Sequence, residues 1–473
     1  MIIFVVIVVR TFLFSSQQIP VTPIYQRDVP TGALDRLQKS ITYPTVSRAT
    51  GVDTAAFERL DTFLQRAFPG VHDSLTWSYH NSFSRMYHWS GTNPKLPPVL
   101  LLAHLDVVPV EKVSMEDWSQ DPYSGARADG YIWGRGTLDD KGNAMAILES
   151  VETLLAEGFQ PVRSIYIALG HDEEVGGQGA QAMAKWLKNQ GIRSAFTLDE
   201  GSLLLKGALP GLNKPVAMIG LSEKGYVSLE LEVNLEEGGH SSMPPSETAI
   251  GILSRSIARL EENPFPPRIE GPTRSLFDYA GPEMNLPLRA IFANLWLTKG
   301  ILAGQLSQDA KSAAIIRTTT APTIINAGIK DNVLPTLASA VINFRIIPGE
   351  TPEFVRDRVV RVINDDRVQV DFQEQFSMSR PAPVSETSAL GFQVIHRTIR
   401  ELYPEAVVAP GLVVGATDSR HYLDVSEQTY RFMPALLDSE ELSGIHGINE
   451  RISVANYEQM IRWYIRLLEN SCR

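Results

Sequence analysis

The sequence contains a single cysteine, Cys472, its penultimate residue. A disulfide framework within the chain and a cysteine-rich metal site are both excluded, so any bound metal must be held by histidines and carboxylates. Basic residues are in deficit: 43 Lys and Arg stand against 54 Asp and Glu, a net charge of −11, which argues against nucleic-acid binding. No Asn-x-Ser/Thr acceptor occurs, which disfavours a heavily glycosylated secreted product. The apolar run at the N-terminus, residues 1–9, stops at Arg10, short of the ~20 residues that span a bilayer. A signal or anchor is nevertheless the expectation for this segment, making the protein exported and possibly membrane-anchored, with membrane or lipid association; a buried strand is the alternative. What is present is ordinary for a globular chain, 44% hydrophobic and 21% charged over 473 residues, enough for two or three packed units.

Residues 15–33 are polar and proline-bearing and read as a linker or wrapping arm. Beyond them, short aliphatic runs alternate with amphipathic stretches. PPVLLLAHLDVVPV (97–110), SIYIALG (164–170) and SAFTLDEG (194–201) read as buried strands, and residues 141–159 and 180–191 as helices between them. This order predicts an α/β fold, a mainly parallel sheet with helices on both faces. After Lys224 the texture changes. Residues 225–238 alternate with period two, 248–262 form a helical pattern, 321–329 and 338–349 follow as strands, then a helix at 351–366 and a strand at 368–375. A β-α-β-β-α-β order predicts an inserted α+β domain of ferredoxin-like topology. The expected division is 1–34 apolar segment and linker, 35–222 and 378–473 as two parts of one catalytic domain, and 223–377 as the insert.

Acids and histidines gather at the carboxyl ends of these strands, where open α/β sheets place ligands. In AHLDVVP, His104 and Asp106 are two apart and leave one face of a strand, so Asp106 can hold the imidazole while its other nitrogen meets a metal. Alone, the pair reads equally as a structural contact. GRGTLDDKGN places Asp139 and Asp140 at a helix entrance, where acids are also common caps. GHDEEVGG stacks Asp172, Glu173 and Glu174 after a buried strand, a costly arrangement without a cation. LDEG adds Asp199 and Glu200, and GIHGINE adds His446 between glycines. Two histidines and several carboxylates with no thiol suit zinc, and the charge count suits two ions bridged by Asp139. Glu173 is then left over to move protons.

These motifs, with GHSSMPP, NFRIIPG and GATDSR, resemble in order the di-zinc family of carboxypeptidase S, aminoacylase, glutamate carboxypeptidase and succinyl-diaminopimelate desuccinylase, over about residues 35–470. SEKGYVSLEL and TDSRHY look most like its N-fatty-acyl-amino acid synthase/hydrolase branch. The resemblance implies two zinc ions per subunit: one on His104, Asp139 and Asp199, the other on Asp139, Glu174 and His446. It also implies Asp106 as the group orienting His104, Glu173 as general base, and His240 as an oxyanion stabiliser often lent by a partner subunit. Arg345, Asn332 and Gly415 would hold the substrate carboxylate, with Asp418 and Arg420 behind them and the insert acting as lid and dimerisation domain. By itself His240 reads as a loop histidine and Arg345 as an edge-strand arginine. The implied reaction is hydrolysis of N-acyl amino acids, N-fatty-acyl ones first, reversible with condensation of fatty acid and amino acid. Carboxypeptidase S-like cleavage of small peptides is the alternative, and an inactive scaffold the alternative of another class. The partner is a small-molecule substrate, with a homodimer through the insert. The apolar residues of 275–314 read as lid core, a subunit contact or a wall for an acyl chain.

Overall fold

The computed structural model describes residues 1–24, 27–373 and 378–473. Strand Val99–His104 is buried along its whole length because both of its faces are covered. Leu101 and Ala103 enter one core with Ile147, Phe392 and Trp463, from helices Lys141–Ala156, Leu390–Leu402 and Val454–Cys472. Leu100 and Leu102 enter another with Met183 of helix Gln178–Asn189. Strict alternation within an unbroken aliphatic run thus feeds two cores at once.

The expected mainly parallel sheet is in fact mixed. It has ten strands. Four consecutive ones, Thr429–Arg431, Phe196–Asp199, Val99–His104 and Ile165–Gly170, run parallel. Beyond Ile165–Gly170 the hairpin Thr76–His80 and Ser84–Trp89 adds antiparallel strands, and on the other side Val216–Glu223 is antiparallel to Thr429–Arg431. The hairpin escapes a reading based on aliphatic runs because TWSYH and SRMYHW carry few aliphatics. The parallel block matters for function, since it brings His104, Gly170 and Asp199 to one end of the sheet.

A separate four-stranded antiparallel sheet follows the chain exit after Glu223. Its spatial order is Thr319–Ala327, Leu337–Ile346, Gly225–Asn234, Val368–Phe372. The last two residues of the strand expected at 368–375 lie outside the described residues. Val227, Leu229, Leu231 and Val233 alternate into a core shared with helices Ala249–Glu262 and Pro352–Ile363. The helices between residues 271 and 314 do not join that core. Phe277, Phe292 and Leu295 pack on Val407 and Ala409, so this stretch folds back against the main sheet.

The N-terminal expectation is corrected. Residues Ile2–Leu13 form a helix, and among the described residues no helix is long and apolar enough to cross a membrane. The helix lies on Leu286–Ala293, tied by Arg10 Nε donating to the Ala293 carbonyl (3.1 Å) and Arg289 Nη2 to the Phe14 carbonyl (2.5 Å). The arm after it, through residue 24, runs past helix Leu390–Leu402, where Ile24 N donates to Glu401 O (3.2 Å). Because Leu101 is fully buried between Ile167 and Leu198, Leu101→Ala should cost about 2–5 kcal/mol, measured as a lowered midpoint in chemical denaturation.

Candidate metal centre and active site

His104 ends its strand, and Asp106 lies just beyond, completely buried. Asp106 Oδ1 stands 3.3 Å from His104 Nδ1, which turns Nε2 outward. The same carboxylate accepts Ser47 Oγ (2.5 Å) and the backbone N–H groups of Glu173 (3.1 Å) and Glu174 (3.2 Å). One aspartate therefore fixes both the histidine and the acid turn Glu173–Val175. Gly177 closes that turn with φ of +67°, and a Cβ there would run into Asp418 Oδ1.

Asp139 stands two residues before helix Lys141–Ala156 and faces both histidines. Its Oδ1 is 2.9 Å from His104 Nε2, and its Oδ2 is 3.0 Å from His446 Nε2. Glu174 Oε1 lies 3.2 Å from His446 Nε2, and Glu200 Oε1 3.8 Å from His104 Nε2. Two donor groups result, His104–Asp139–Glu200 and Asp139–Glu174–His446, each with its ligand atoms within 4.8 Å of one another. Asp199, the ligand expected from LDEG, belongs to neither. Its oxygens are taken by the backbone N–H groups of Glu200 (3.0 Å) and Ser419 (2.7 Å), and its neighbour Glu200 reaches the histidine instead. Adjacent strand-end residues point to opposite sides, so only one of the pair can face His104.

Sequence reasoning also missed what holds Asp139 and His446 together. Glu450, in the same GIHGINE stretch, is fully buried, and its Oε1 accepts the backbone N–H groups of Gly136 (3.0 Å), Leu138 (2.9 Å) and Asp139 (3.1 Å). Its Oε2 pairs with Arg135 Nη1 at 2.7 Å, and Arg135 Nη2 reaches the Gly447 carbonyl at 2.7 Å. The signal was one further ionic residue in each motif, Arg135 near the start of GRGTLDDKGN and Glu450 at the end of GIHGINE. His446 itself has a left-handed backbone, φ +58°, imposed by this turn.

The electrostatics describe a site short of positive charge. Burial, then the charges of Asp139 and Asp140, drive Glu200 well above the usual carboxylate range. Burial drives Glu173 the same way, with Asp418 and Glu174 adding to it against the pull of His104. Hydrogen bonds to Asp139 and Glu174 lift His446 to about 10. Burial opposes a proton on His104, but Asp106 and Asp139 outweigh it and the net shift is well upward. Divalent cations would offset the crowded carboxylates and take the places of the protons held by His104 and His446. The spacing also fits: two ligands on one tetrahedral zinc, at ~2.0–2.2 Å each, stand roughly 3.3 Å apart.

A cavity of about 1040 Å³ opens from these ligands. Glu173, Glu174 and His446 line it together with Tyr226, Arg345, Gly415 and Arg420. Arg345 and Gly415, two of the residues expected to hold the substrate carboxylate, are thus among the lining residues. His240 and Asn332 do not line it. His240 is exposed on strand Gly239–His240, with Nδ1 2.8 Å from Ser242 Oγ, and Asn332 adjoins its pairing partner Val333–Leu334. No residue of 275–314 lines the cavity either. His171 bonds Ser84 Oγ (2.6 Å), and Cys472 is buried in the main core.

Two outcomes test this geometry. Glu200→Gln should lose about one equivalent of bound zinc whereas Asp199→Asn should retain both, measured by metal analysis after dialysis. Because His446 holds a proton up to about pH 10 and coordination needs the neutral ring, zinc must displace protons. Apparent affinity should therefore rise with pH through neutrality, and calorimetry in buffers of different ionisation enthalpy should record proton release.

Comparison with known proteins identifies the family. The pattern of "Peptidase family M20/M25/M40" matches residues 100–470. The chain is 44% identical over 443 residues to "Probable carboxypeptidase S-like 2" of Dictyostelium discoideum, covering 92% of this chain and 84% of that one. It is 43% identical to "N-fatty-acyl-amino acid synthase/hydrolase PM20D1" of Xenopus tropicalis, covering 93% and 85%. The crystal structure of "a M20 family metallo-carboxypeptidase Sso-CP2 from Sulfolobus solfataricus" superposes with a TM-score of 0.68 at 18% identity, covering 93% of this chain and 99% of that one, which shows the shared fold. With donor groups at the strand ends and this match over most of its length, the chain belongs to the M20 family of metallopeptidases and amide hydrolases.

Proposed function

We propose that the protein is a di-zinc hydrolase cleaving the amide bond of small peptides or N-acyl amino acids that carry a free carboxylate, in the manner of carboxypeptidase S. The observation that carries this reading is Asp139, whose two oxygens each face a different histidine, 2.9 and 3.0 Å away. His104, Asp139 and Glu200 would hold one zinc, and Asp139, Glu174 and His446 the other. When bound, the ions supply carbonyl polarisation and an acidified water. Asp106 orients His104. Glu173, kept basic by burial and neighbouring acids, accepts the proton of the attacking water and returns it to the leaving nitrogen. Arg345 holds the carboxylate through its planar fork, over Tyr226 at 4.8 Å, with Gly415 beside it.

The peptidase form is favoured over the N-fatty-acyl form because the apolar 275–314 helices pack on Val407 and Ala409 instead of facing the cavity. The fatty-acyl form keeps support from the names of relatives such as that of Xenopus tropicalis. Rates on a blocked dipeptide and on a long-chain N-acyl-phenylalanine separate them; the dipeptide should be the better substrate. Glu173→Gln should lower kcat roughly 10²- to 10⁴-fold while zinc content stays at the wild-type level.

We further propose that residues 35–222 and 378–473 form the catalytic domain and 223–377 a ferredoxin-like lid that pairs two copies. Edge strand Thr319–Ala327 exposes Ile325 (59%), followed by Ile329 (97%), apolar surface suited to a second copy. His240 and Asn332 are neighbours, Ser241 N donating to the Asn332 carbonyl at 3.2 Å, and across a two-fold interface both would serve the partner's site. His240→Ala and Glu173→Gln variants, each inactive, should regain up to about a quarter of wild-type activity when mixed and allowed to exchange, if His240 acts across a two-fold interface.

A further inference from the structure

The cavity is lined by charges of both signs: Glu173, Glu174 and His446 at the metal ligands, and the cations Arg345, Arg380 and Arg420. Arg380 is matched, with Nη2 3.3 Å from Glu353 Oε1. The other two are not. Among the described residues neither Arg345 nor Arg420 has a carboxylate at ion-pair distance; Arg345 has the face of Tyr226, and Arg420 gives Nε to His421 Nε2 at 3.2 Å. The two are close enough to oppose each other: burial, and then the charge of Arg420, depress the Arg345 guanidinium. Arg420 also feels the buried Glu223 and Asp418, yet neither guanidinium forms an ion pair, so an anion reaching both would ease their mutual repulsion.

We propose that Arg420 is a second clamp on the substrate carboxylate, acting with Arg345, and so sets the preference of the site for amides whose amine half bears a free carboxylate. This rests on the amide-hydrolase reading above and moves Arg420 from behind the site, where the family resemblance puts it, to its surface. The turn that carries it is firmly fixed. Arg420 belongs to the short helix Asp418–His421, capped by Thr417. Thr417 N and Oγ1 donate to the buried Glu223 Oε2 (3.1 and 3.2 Å), and Ser419 N donates to Asp199 Oδ2 (2.7 Å). Asp199 is bonded directly to Glu200, so the distance from this cation to the metal ligands is set through two adjacent residues. A fixed separation between carboxylate clamp and reacting centre is what an exopeptidase needs to count one residue from the chain end.

The rival role for Arg420 is to steady His421, which burial and then Arg420 itself depress to about 4. The two roles differ in what they discriminate. Zinc-loaded wild type, Arg420→Gln and Arg420→Lys are compared on a blocked dipeptide and on its C-terminal amide, with zinc content and melting temperature recorded. Arg420→Gln should raise KM for the acid and reduce the acid-over-amide ratio of kcat/KM by roughly 10- to 100-fold, the worth of a charge-assisted hydrogen bond. kcat should stay within a few-fold, and Arg420→Lys should fall between the two. Equal slowing on both substrates, with the ratio unchanged, overturns the proposal. Calorimetric binding of free phenylalanine gives a readout independent of turnover, and Arg420→Gln should weaken it similarly; unchanged binding also overturns the proposal. If wild type cleaves neither substrate, the amide-hydrolase reading fails by itself, and the phenylalanine titration still decides whether Arg420 holds carboxylates.

Discussion

The structure depends on negative charge concentrated around the carboxyl ends of the parallel strands Val99–His104, Ile165–Gly170 and Phe196–Asp199. Asp106, Asp139, Asp140, Glu173, Glu174, Asp199, Glu200 and Asp418 crowd into a space with few cations of its own. Such a cluster is tolerable because it is divided by task. Asp106 and Asp199 are satisfied by backbone N–H groups and hold the scaffold, whereas Asp139, Glu174 and Glu200 keep oxygens free for shared cations. The same crowding leaves Glu173 proton-hungry beside the site of attack. Scaffold, metal affinity and general-base strength thus come from one electrostatic arrangement.

Much of the fold was legible because the central strands are aliphatic and the helices between them amphipathic. The run VLLLAH can only be a strand covered on both sides, and His104 follows from its end. The edge hairpin was hidden because TWSYH and SRMYHW are aromatic and polar, a pattern that periodicity does not separate from loop. The helices of 271–314 were assigned by position in the chain, yet their partners, Val407 and Ala409, lie more than ninety residues on, and sequence order does not reveal such contacts. The N-terminal run was read from hydropathy alone, while its docking on Arg289 is a tertiary contact.

The site shows the same division. Residue types and spacing pointed to His104, Asp139, Glu174 and His446, which converge. The choice between Asp199 and Glu200 turns on which of two neighbours faces inward, a question of strand-end geometry that composition leaves open. Glu450 and Arg135 were passed over because they touch no substrate. Their work is to bind one motif to another across the sheet end, where three amides converge on one carboxylate oxygen.

The outermost strand of the smaller sheet has a consequence for handling the protein. Thr319–Ala327 pairs with Leu337–Ile346 along one side only, and most of its residues face water. Its other row of amides and carbonyls is a template for any extended segment that meets it. Pro322 interrupts that row and blunts it locally, but the isoleucines beyond remain. Because the meeting of two such edges is second order in protein, clumping would grow with concentration and ease on dilution.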